Sequence, residues 1–433
     1  MKRLLVACLL AVLAAPAFAV IGTVDDVPAA TLLLPYFEVD LDDANGINTL
    51  MSINNASATS VLAHVVIWSD LSVHVLDFNV YLTGYDVQTI SLRDILVGGN
   101  LPITGEGVSN VGPASIPNPA ESYPFCDVLL PYSNPALDAT YLDYVQLALT
   151  GQSVPYFGWD DDCGAIDHGD NIARGYVTVD TVDECHIDFP DSTGYFNDLT
   201  GYVTNENVLW GDYFYVNPAQ NFAQGETLVH IEASDALGIA NYTFYYRYSD
   251  EDLVPGQDNR EGLGNVFAVR YVNGGGFTGG TSMVVWRDAK ESVTHGGYCG
   301  SWPSPFPLGQ SQIVVFDEDE NFEVPEGCTI SPCDPGQTTN PFPWEAQRTD
   351  VGSPALPSSY NFGWLYLNLN FPTGTIWDPF MQNWVTAVMD ADGRFSVGFD
   401  AIQLGNVTYP EFATDDCIYT LDEGGPVLPC PVD

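Results

Sequence analysis

The chain has 433 residues, of which 57 are Asp or Glu and only 11 are Lys or Arg, so its formal net charge is −46. Such a surface repels the phosphates of nucleic acids, which excludes them as partners, and it disfavours binding to anionic membranes. Hydrophobic residues make up 46% of the chain, enough for a large core and opposite to the composition of a disordered protein.

The N-terminus has the features of a secretory signal peptide. Two basic residues precede an apolar run from 4 to 15, and Ala17-Phe18-Ala19 forms an A-x-A cleavage site. We predict cleavage near Ala19 and export to the periplasm, the cell surface or the medium. The alternative is lipid attachment at Cys8 in "LVAC", but the apolar run before it is short and continues past it. No later segment approaches the ~18 consecutive apolar residues of a transmembrane helix.

Short alternating or β-branched runs, bounded by turn residues, predict strands along most of the chain. The clearest are 62–68, 76–82, 87–92, 173–182 and 362–371. In the run 384–404 an Asp-Gly pair separates two such segments, which predicts a hairpin. The best helical candidate is 134–151. Short strands with frequent turns predict an all-β protein built from antiparallel β-sandwiches.

A weak internal repeat predicts the domain plan. Residues 30–56 parallel 265–289, residues 60–70 parallel 310–319, and residues 174–180 parallel 362–368, in the same order. We therefore predict tandem sandwiches with long, disulfide-stapled loops, although one continuous sheet system is the alternative. The predicted units are a signal peptide (1–19), an N-terminal sandwich domain (20–248), a linker or inter-domain loop (249–264) and a C-terminal sandwich domain (265–433). As an architecture, this resembles the Ig-like sandwiches of bacterial surface proteins.

The cysteines left after removal of the signal peptide are even in number, which in an exported chain predicts disulfides. They are Cys126, Cys163, Cys185, Cys299, Cys328, Cys333, Cys417 and Cys430. We predict a Cys417–Cys430 pair because both residues lie in the C-terminal tail. Zinc is the alternative, but the paired C-x-x-C spacing of zinc sites is missing.

The most acidic cluster is "WDDDCGAIDHGDN", residues 159–171. Neighbouring carboxylates repel each other by about 1 kcal/mol per pair in water and by more near a protein surface. A bound hard cation would relieve this repulsion, and calcium is the ion that prefers oxygen ligands. The predicted ligands are Asp160, Asp162, Asp167 and Asp170. The alternative is a hydrated loop without an ion.

Tryptophans in or beside proline-rich loops are candidates for ligand binding, because their rings can stack on sugars or on another protein. These are Trp302, Trp344 and Trp377. The alternative for each is a structural role in covering the core.

Sequence motifs for catalysis are missing. The chain contains no G-x-S-x-G, no H-E-x-x-H, no phosphate-binding loop and no dinucleotide fingerprint. We therefore expect an exported structural or interaction protein that is stabilised by calcium and binds a surface protein or a glycan, and we do not expect an enzyme. Two alternatives are a carbohydrate- or polymer-binding module and a secreted hydrolase that uses paired carboxylates.

The disulfide prediction is tested by counting thiols. We expect no free thiol in the mature native protein, because all eight cysteines should be oxidised in an exporting compartment. Titration under denaturing, non-reducing conditions measures this number. Two or more thiols per chain would contradict complete pairing.

Overall fold

The computed structural model describes most of the chain, in twelve segments. They are residues 27–103, 123–192, 194–196, 201–234, 243–248, 258–291, 293, 296–324, 340–370, 381–406, 421–422 and 425–426. The predicted signal peptide and four of the predicted disulfide cysteines, Cys328, Cys333, Cys417 and Cys430, lie outside these residues, as does Trp377.

Among the described residues, the first half of the chain contributes ten strands and two α-helices. The strands are β1 (Thr31–Asp40), β2 (Asn48–Asn55), β3 (Val61–Ser69), β4 (His74–Leu82), β5 (Val87–Ser91), β6 (Ile172–Val182), β7 (Leu209–Trp210), β8 (Asp212–Asn217), β9 (Phe222–Thr227) and β10 (Val229–Ile231). The helices are α1 (Leu92–Leu96) and α2 (Ala139–Leu149). Two 3₁₀ turns lie at Pro218–Gln220 and Tyr246–Tyr248.

The second half contributes strands alone to the described structure. They are β11 (Gly264–Val272), β12 (Gly280–Arg287), β13 (Gln312–Asp317), β14 (Phe322–Glu323), β15 (Ala346–Asp350), β16 (Phe362–Asn368), β17 (Asn383–Asp390), β18 (Ser396–Asp400), β19 (Ile402–Asn406), β20 (Leu421–Asp422) and β21 (Gly425–Pro426). The prediction of a nearly all-β protein with antiparallel sheets is confirmed.

The two halves repeat one strand order. In the first half the sheets are β10-β1-β6-β3-β4 and β5-β2-β8-β9, with β7 pairing to β2. In the second half they are β19-β11-β16-β13-β14 and β15-β12-β17-β18. Each strand of the first half except β7 thus has a counterpart at the same place in the second half. The three pairs of segments that the sequence repeat matched contain counterpart strands.

Counterpart residues also make the same contacts. Tyr176 stacks on Trp68 of the neighbouring strand at 5.7 Å between ring centroids, and Trp364 stacks on Phe316 at 4.5 Å. A glycine precedes the aromatic residue of the later strand in both halves. A Cβ at Gly175 would lie 1.8 Å from the Trp68 carbonyl oxygen, and a Cβ at residue 363 would lie 1.7 Å from the Phe316 carbonyl oxygen. Only glycine allows the two backbones to approach so closely.

A threonine links the two sheets of each half in the same way. The Thr49 hydroxyl accepts from the amide of Glu38 and donates to its carbonyl, both at 3.0 Å. The Thr281 hydroxyl makes the same two bonds to Val272, both at 2.8 Å. The repeat therefore extends from strand order to individual hydrogen bonds.

The central sheets are covered on both faces. All nine residues of β3 are buried. In β12, Met283 and Val285 belong to the core of the second half, whereas the alternate residues Val284 and Trp286 belong to the core shared with the first half. Because successive side chains of a strand point to opposite faces, β12 is packed against both halves. This explains why these strands are apolar almost throughout.

The helix and hairpin predictions are also realised in the structure. Helix α2 lies within the predicted range 134–151, and the Asp138 side chain caps its N-terminus by accepting from the amides of Thr140 and Tyr141. Strands β17 and β18 pair through the Asp-Gly turn, where Asp392 and Gly393 have φ angles of 49° and 71°. These positive angles are those that a tight hairpin turn requires.

The described part of the predicted linker is not a solvated connection. Asp258 and Arg260 are both buried. The Arg260 guanidinium donates to the Thr31 hydroxyl at 3.0 Å and to the Thr204 carbonyl at 2.7 Å, both in the first half. The described residues 258–264 thus take part in a buried hydrogen-bond network, while the linker or inter-domain loop over 249–264 stays a prediction.

A buried arginine lies where the two halves meet. Arg247 donates to the carboxylate of Glu345 and, at 3.0 Å, to the hydroxyl of Tyr176, while Asp288 lies 3.6 Å away. Its guanidinium also lies 4.9 Å from the centre of the Tyr248 ring. Burial raises the pKa of Glu345 to about 7, and the charge of Arg247 opposes this rise. The arginine thus links two carboxylates of the second half, Glu345 and Asp288, to the phenol of Tyr176 in the first half.

Replacing this arginine should destabilise the protein. Arg247→Met would leave the Glu345 carboxylate buried without its partner, so we expect a loss of about 3–5 kcal/mol in the free energy of unfolding. The loss should be smaller at about pH 5 than at about pH 8, because protonation of Glu345 removes the uncompensated charge. Chemical denaturation at both pH values measures the effect.

The matched control is Arg270→Met, which removes the same charge from an exposed position on β11. We expect it to change the free energy of unfolding by less than about 0.5 kcal/mol. Equal losses in the two variants would contradict a special role for Arg247.

Candidate functional site

The acidic loop 159–171 is fixed to the second half of the chain. Cys163 forms a disulfide with Cys299, and the Cys163 amide donates to the Gly297 carbonyl at 2.7 Å. A Cβ at Gly296 would lie 1.3 Å from the Cys163 carbonyl oxygen, so this contact requires glycine. Asp162 also forms a β-bridge with Tyr298. The loop is therefore part of the junction between the halves.

Protein groups neutralise some of the loop carboxylates. Arg174 donates to both carboxylate oxygens of Asp170, at 2.8 and 2.6 Å, and these hydrogen bonds lower the Asp170 pKa. Asp167 accepts from the amide of Gly169 at 2.8 Å. His168 reaches out of the loop to the buried Asp70, with Nε2 3.2 Å from Oδ2. These contacts reduce part of the repulsion between the loop carboxylates without a bound ion.

The four predicted calcium ligands are not gathered around one point. Asp170 is held by Arg174 and Asp167 by a turn amide, while the backbone of Asp160 has a positive φ of 47°. Within the described ranges, no group of three or more His, Cys, Asp or Glu side chains could hold a metal ion. Calcium binding by Asp160, Asp162, Asp167 and Asp170 stays a prediction, and it requires the Asp167 and Asp170 oxygens to leave their present partners.

A cleft of about 460 Å³ opens beside the loop, between the two halves. Its polar lining includes Glu38 and Arg174 from the first half and Arg348 and Asp350 from the second. Trp344 lines the cleft and meets the ring of Trp302 edge-on, with centroids 4.7 Å apart. Trp302 is 48% exposed. Two of the three tryptophans that the sequence singled out are thus brought together.

The Cys163–Cys299 disulfide brings the loop of Trp302 to the acidic loop beside the cleft. Trp302 follows Cys299 by three residues, so the bridge places its loop beside the acidic loop. His168, from that acidic loop, lines the same cleft as Trp344. Two features that are far apart in the sequence therefore form one surface.

Charged groups of alternating sign form a row that leads from the acidic loop along the cleft lining. Starting from Asp170, the row continues through Arg174 to Glu38, with Arg174 Nε 3.7 Å from Glu38 Oε1. It ends at Arg348, whose Nη1 lies 3.5 Å from Glu38 Oε2. The Tyr36 hydroxyl donates to the same carboxylate at 2.9 Å. These fixed planar groups can form paired hydrogen bonds with the hydroxyls of a ligand.

Sequence reasoning did not identify the arginines of this cleft. The available signal was their rarity, since only 11 basic residues face 57 acidic ones. Each arginine in such a chain is a candidate for a specific partner, whereas most of the acidic residues need only solvent.

The second disulfide that the structure describes links Cys126 to Cys185. Both cysteines are buried and pack with Leu62, Tyr81 and Val182 on one sheet of the first half. Four of the eight predicted disulfide cysteines are thus paired, and the predicted Cys417–Cys430 pair lies outside the described residues.

Comparison with protein-family models, with curated proteins and with solved structures finds no match to this chain. In the described part of the chain, no helix is long and apolar enough to cross a membrane.

The calcium prediction is tested by thermal unfolding. With the dissociation constant of about 10⁻⁴–10⁻³ M that is usual for extracellular modules, about 10 mM calcium should add roughly 1.4–2.7 kcal/mol. We therefore expect the Tm to rise by a few degrees relative to chelator. The variant with Asp162→Asn and Asp167→Asn should lose this rise. No shift in the wild type, or the same shift in both proteins, would show that this loop is not the site.

Proposed function

We propose that the protein is an exported, non-enzymatic binding protein that holds a carbohydrate polymer in the cleft between its two halves. The observation that carries the proposal is the Trp302–Trp344 pair beside a row of fixed charged groups. Aromatic rings stack on the apolar faces of sugars, while carboxylate and guanidinium groups bind their hydroxyls.

The charge of the protein favours an uncharged ligand of this kind. A net charge of −46 repels polyanions, but it does not act on a neutral glycan. The described lining of the cleft includes two carboxylates, Glu38 and Asp350, and two guanidinium groups, Arg174 and Arg348, so the site itself is close to electrically balanced. A neutral, hydroxyl-rich ligand fits this balance better than an ion does.

The proposal includes export and a tandem sandwich arrangement. Two disulfides are compatible with an oxidising compartment outside the cytoplasm. The identical strand order of the two halves, together with a separate core in the second half, supports two tandem sandwiches.

Removing the tryptophans tests the proposal. We expect the wild type to bind at least one polysaccharide or glycan on an array. Trp344→Ala and Trp302→Ala should each weaken this binding about tenfold, which corresponds to ~1.4 kcal/mol. Titration of the bound glycan measures the affinities.

Trp210→Ala is the matched control, because Trp210 is 42% exposed but lies on β7, which pairs with β2 in a first-half sheet. We expect its affinity to equal that of the wild type. Binding to no glycan would contradict the proposal and favour a structural or protein-binding role. Release of reducing ends from the bound glycan would instead favour a hydrolase.

A further inference from the structure

A second cavity, of about 480 Å³, lies in the first half against strand β4. This volume is typical of sites for small molecules. Its lining is rich in rings, contributed by β4, by α2 and by the loops that follow α2 and β6. The aromatic residues are His74, Tyr141, Tyr144, Phe157, Trp159 and Phe189.

The rings pack around Tyr144. Its centroid lies 5.4 Å from that of Tyr141, 5.3 Å from that of Phe157 and 5.5 Å from that of Trp159. The Phe157 and Trp159 rings stand nearly perpendicular to it, at 86° and 74°. Such a cluster offers negative ring faces, which attract cations.

A single carboxylate faces this aromatic lining. Asp77 lies on β4, opposite Val66 of β3, and is partly open to the cavity. Its own backbone amide donates to the carboxylate, which opposes the effect of burial on its pKa. None of the described lining residues is Lys or Arg, so none of them can form an ion pair with it. Burial raises the Asp77 pKa to about 8, and the nearby charge of Asp188 adds to this rise.

The other titratable groups around the cavity do not supply the missing positive charge. Burial raises the pKa values of Tyr141 and Tyr144 far above neutrality, so both phenols stay uncharged. The His74 ring stacks on Phe189 at 3.7 Å between centroids, and its Nδ1 lies 3.6 Å from Asp191, which would match its charge. Asp188 is itself negative. No described lining residue therefore offers a positive charge to the ionised form of Asp77, and a cationic ligand could supply it.

We propose that this cavity binds a small organic cation with a methylated ammonium group, which pairs with Asp77 and contacts the rings of Tyr141 and Tyr144. A metal ion fits less well, because one carboxylate and several rings do not provide the oxygen ligands that hard cations need. The methyl groups of an alkylammonium, in contrast, gain from contact with aromatic faces. The acidic surface also raises the local concentration of cations.

Choline and its neutral isostere, in which carbon replaces the ammonium nitrogen, test the proposal by calorimetric titration. We expect the wild type to bind choline at least about tenfold tighter than the isostere. Asp77→Asn should abolish this preference while leaving the Tm unchanged or higher, because it removes a buried carboxyl without changing its size. Asp319→Asn, at an exposed position on the loop after β13, is the matched control and should behave like the wild type.

The pH dependence of the wild type provides a second, independent measurement. Choline keeps its charge at every pH, so its affinity should follow the ionised fraction of Asp77. With a pKa of about 8, that fraction and the affinity rise about fifty-fold between about pH 6 and about pH 8. The affinity of the isostere should not change.

Three results would overturn the proposal. They are equal affinities for choline and its isostere, a choline affinity that does not depend on pH, and no choline binding at about 50 mM, a concentration that would reveal even a very weak site. Because Asp77 does not line the cleft between the halves, failure here is distinguishable from failure of glycan binding.

Discussion

The contact between the aromatic face of β6 and the second half of the chain determines the rest of this architecture. Tyr176 stacks on Trp68 within its own sheet and meets Trp286 of β12 edge-on at 5.9 Å. The Arg247 guanidinium donates to the Tyr176 hydroxyl and lies 5.8 Å from the Trp286 ring. Because this face is buried, the sheet that contains β6 and the sheet that contains β12 must be apolar on both sides. Residues of both sheets line the cleft.

In the second half, the counterpart pair of Phe316 and Trp364 is only partly buried. Equivalent residues thus join the halves in one copy and lie near the surface in the other.

The distribution of arginine shows how so acidic a chain folds. Arg247, Arg260 and Arg287 are all buried. Arg287 donates to the carbonyls of Phe342 and Leu369, and its burial lowers its pKa to about 9. Scarce positive charge is therefore used in the interior, where an unpaired carboxylate or carbonyl would be costly. Carboxylates at the surface need only water and screening ions, so they can be numerous.

The sequence predicted the strands, the helix and the repeat because each depends on local pattern. Alternation marked β6 and β16, and the Asp-Gly pair marked the turn between β17 and β18. The site depended on long-range contacts that no local pattern contains. Trp302 and Trp344 could be selected because they lie in or beside proline-rich loops. The row of charges from Asp170 to Arg348, in contrast, joins residues up to 310 positions apart. The absence of Lys and Arg from the described lining around Asp77 is likewise invisible in a chain with 57 acidic residues, because it depends on which residues the fold brings near it.

The Cys163–Cys299 bridge also changes the connectivity of the molecule. The two cysteines are 136 positions apart, one in each half, so the backbone between them and the bridge form a closed covalent ring. A single break in the backbone anywhere within that ring leaves both halves attached to each other. Reduction alone also leaves them attached, through the intact chain. For a cut within the ring, separation of the halves also requires a reductant, so the junction that carries the cleft is protected against such a cut alone and against reduction alone.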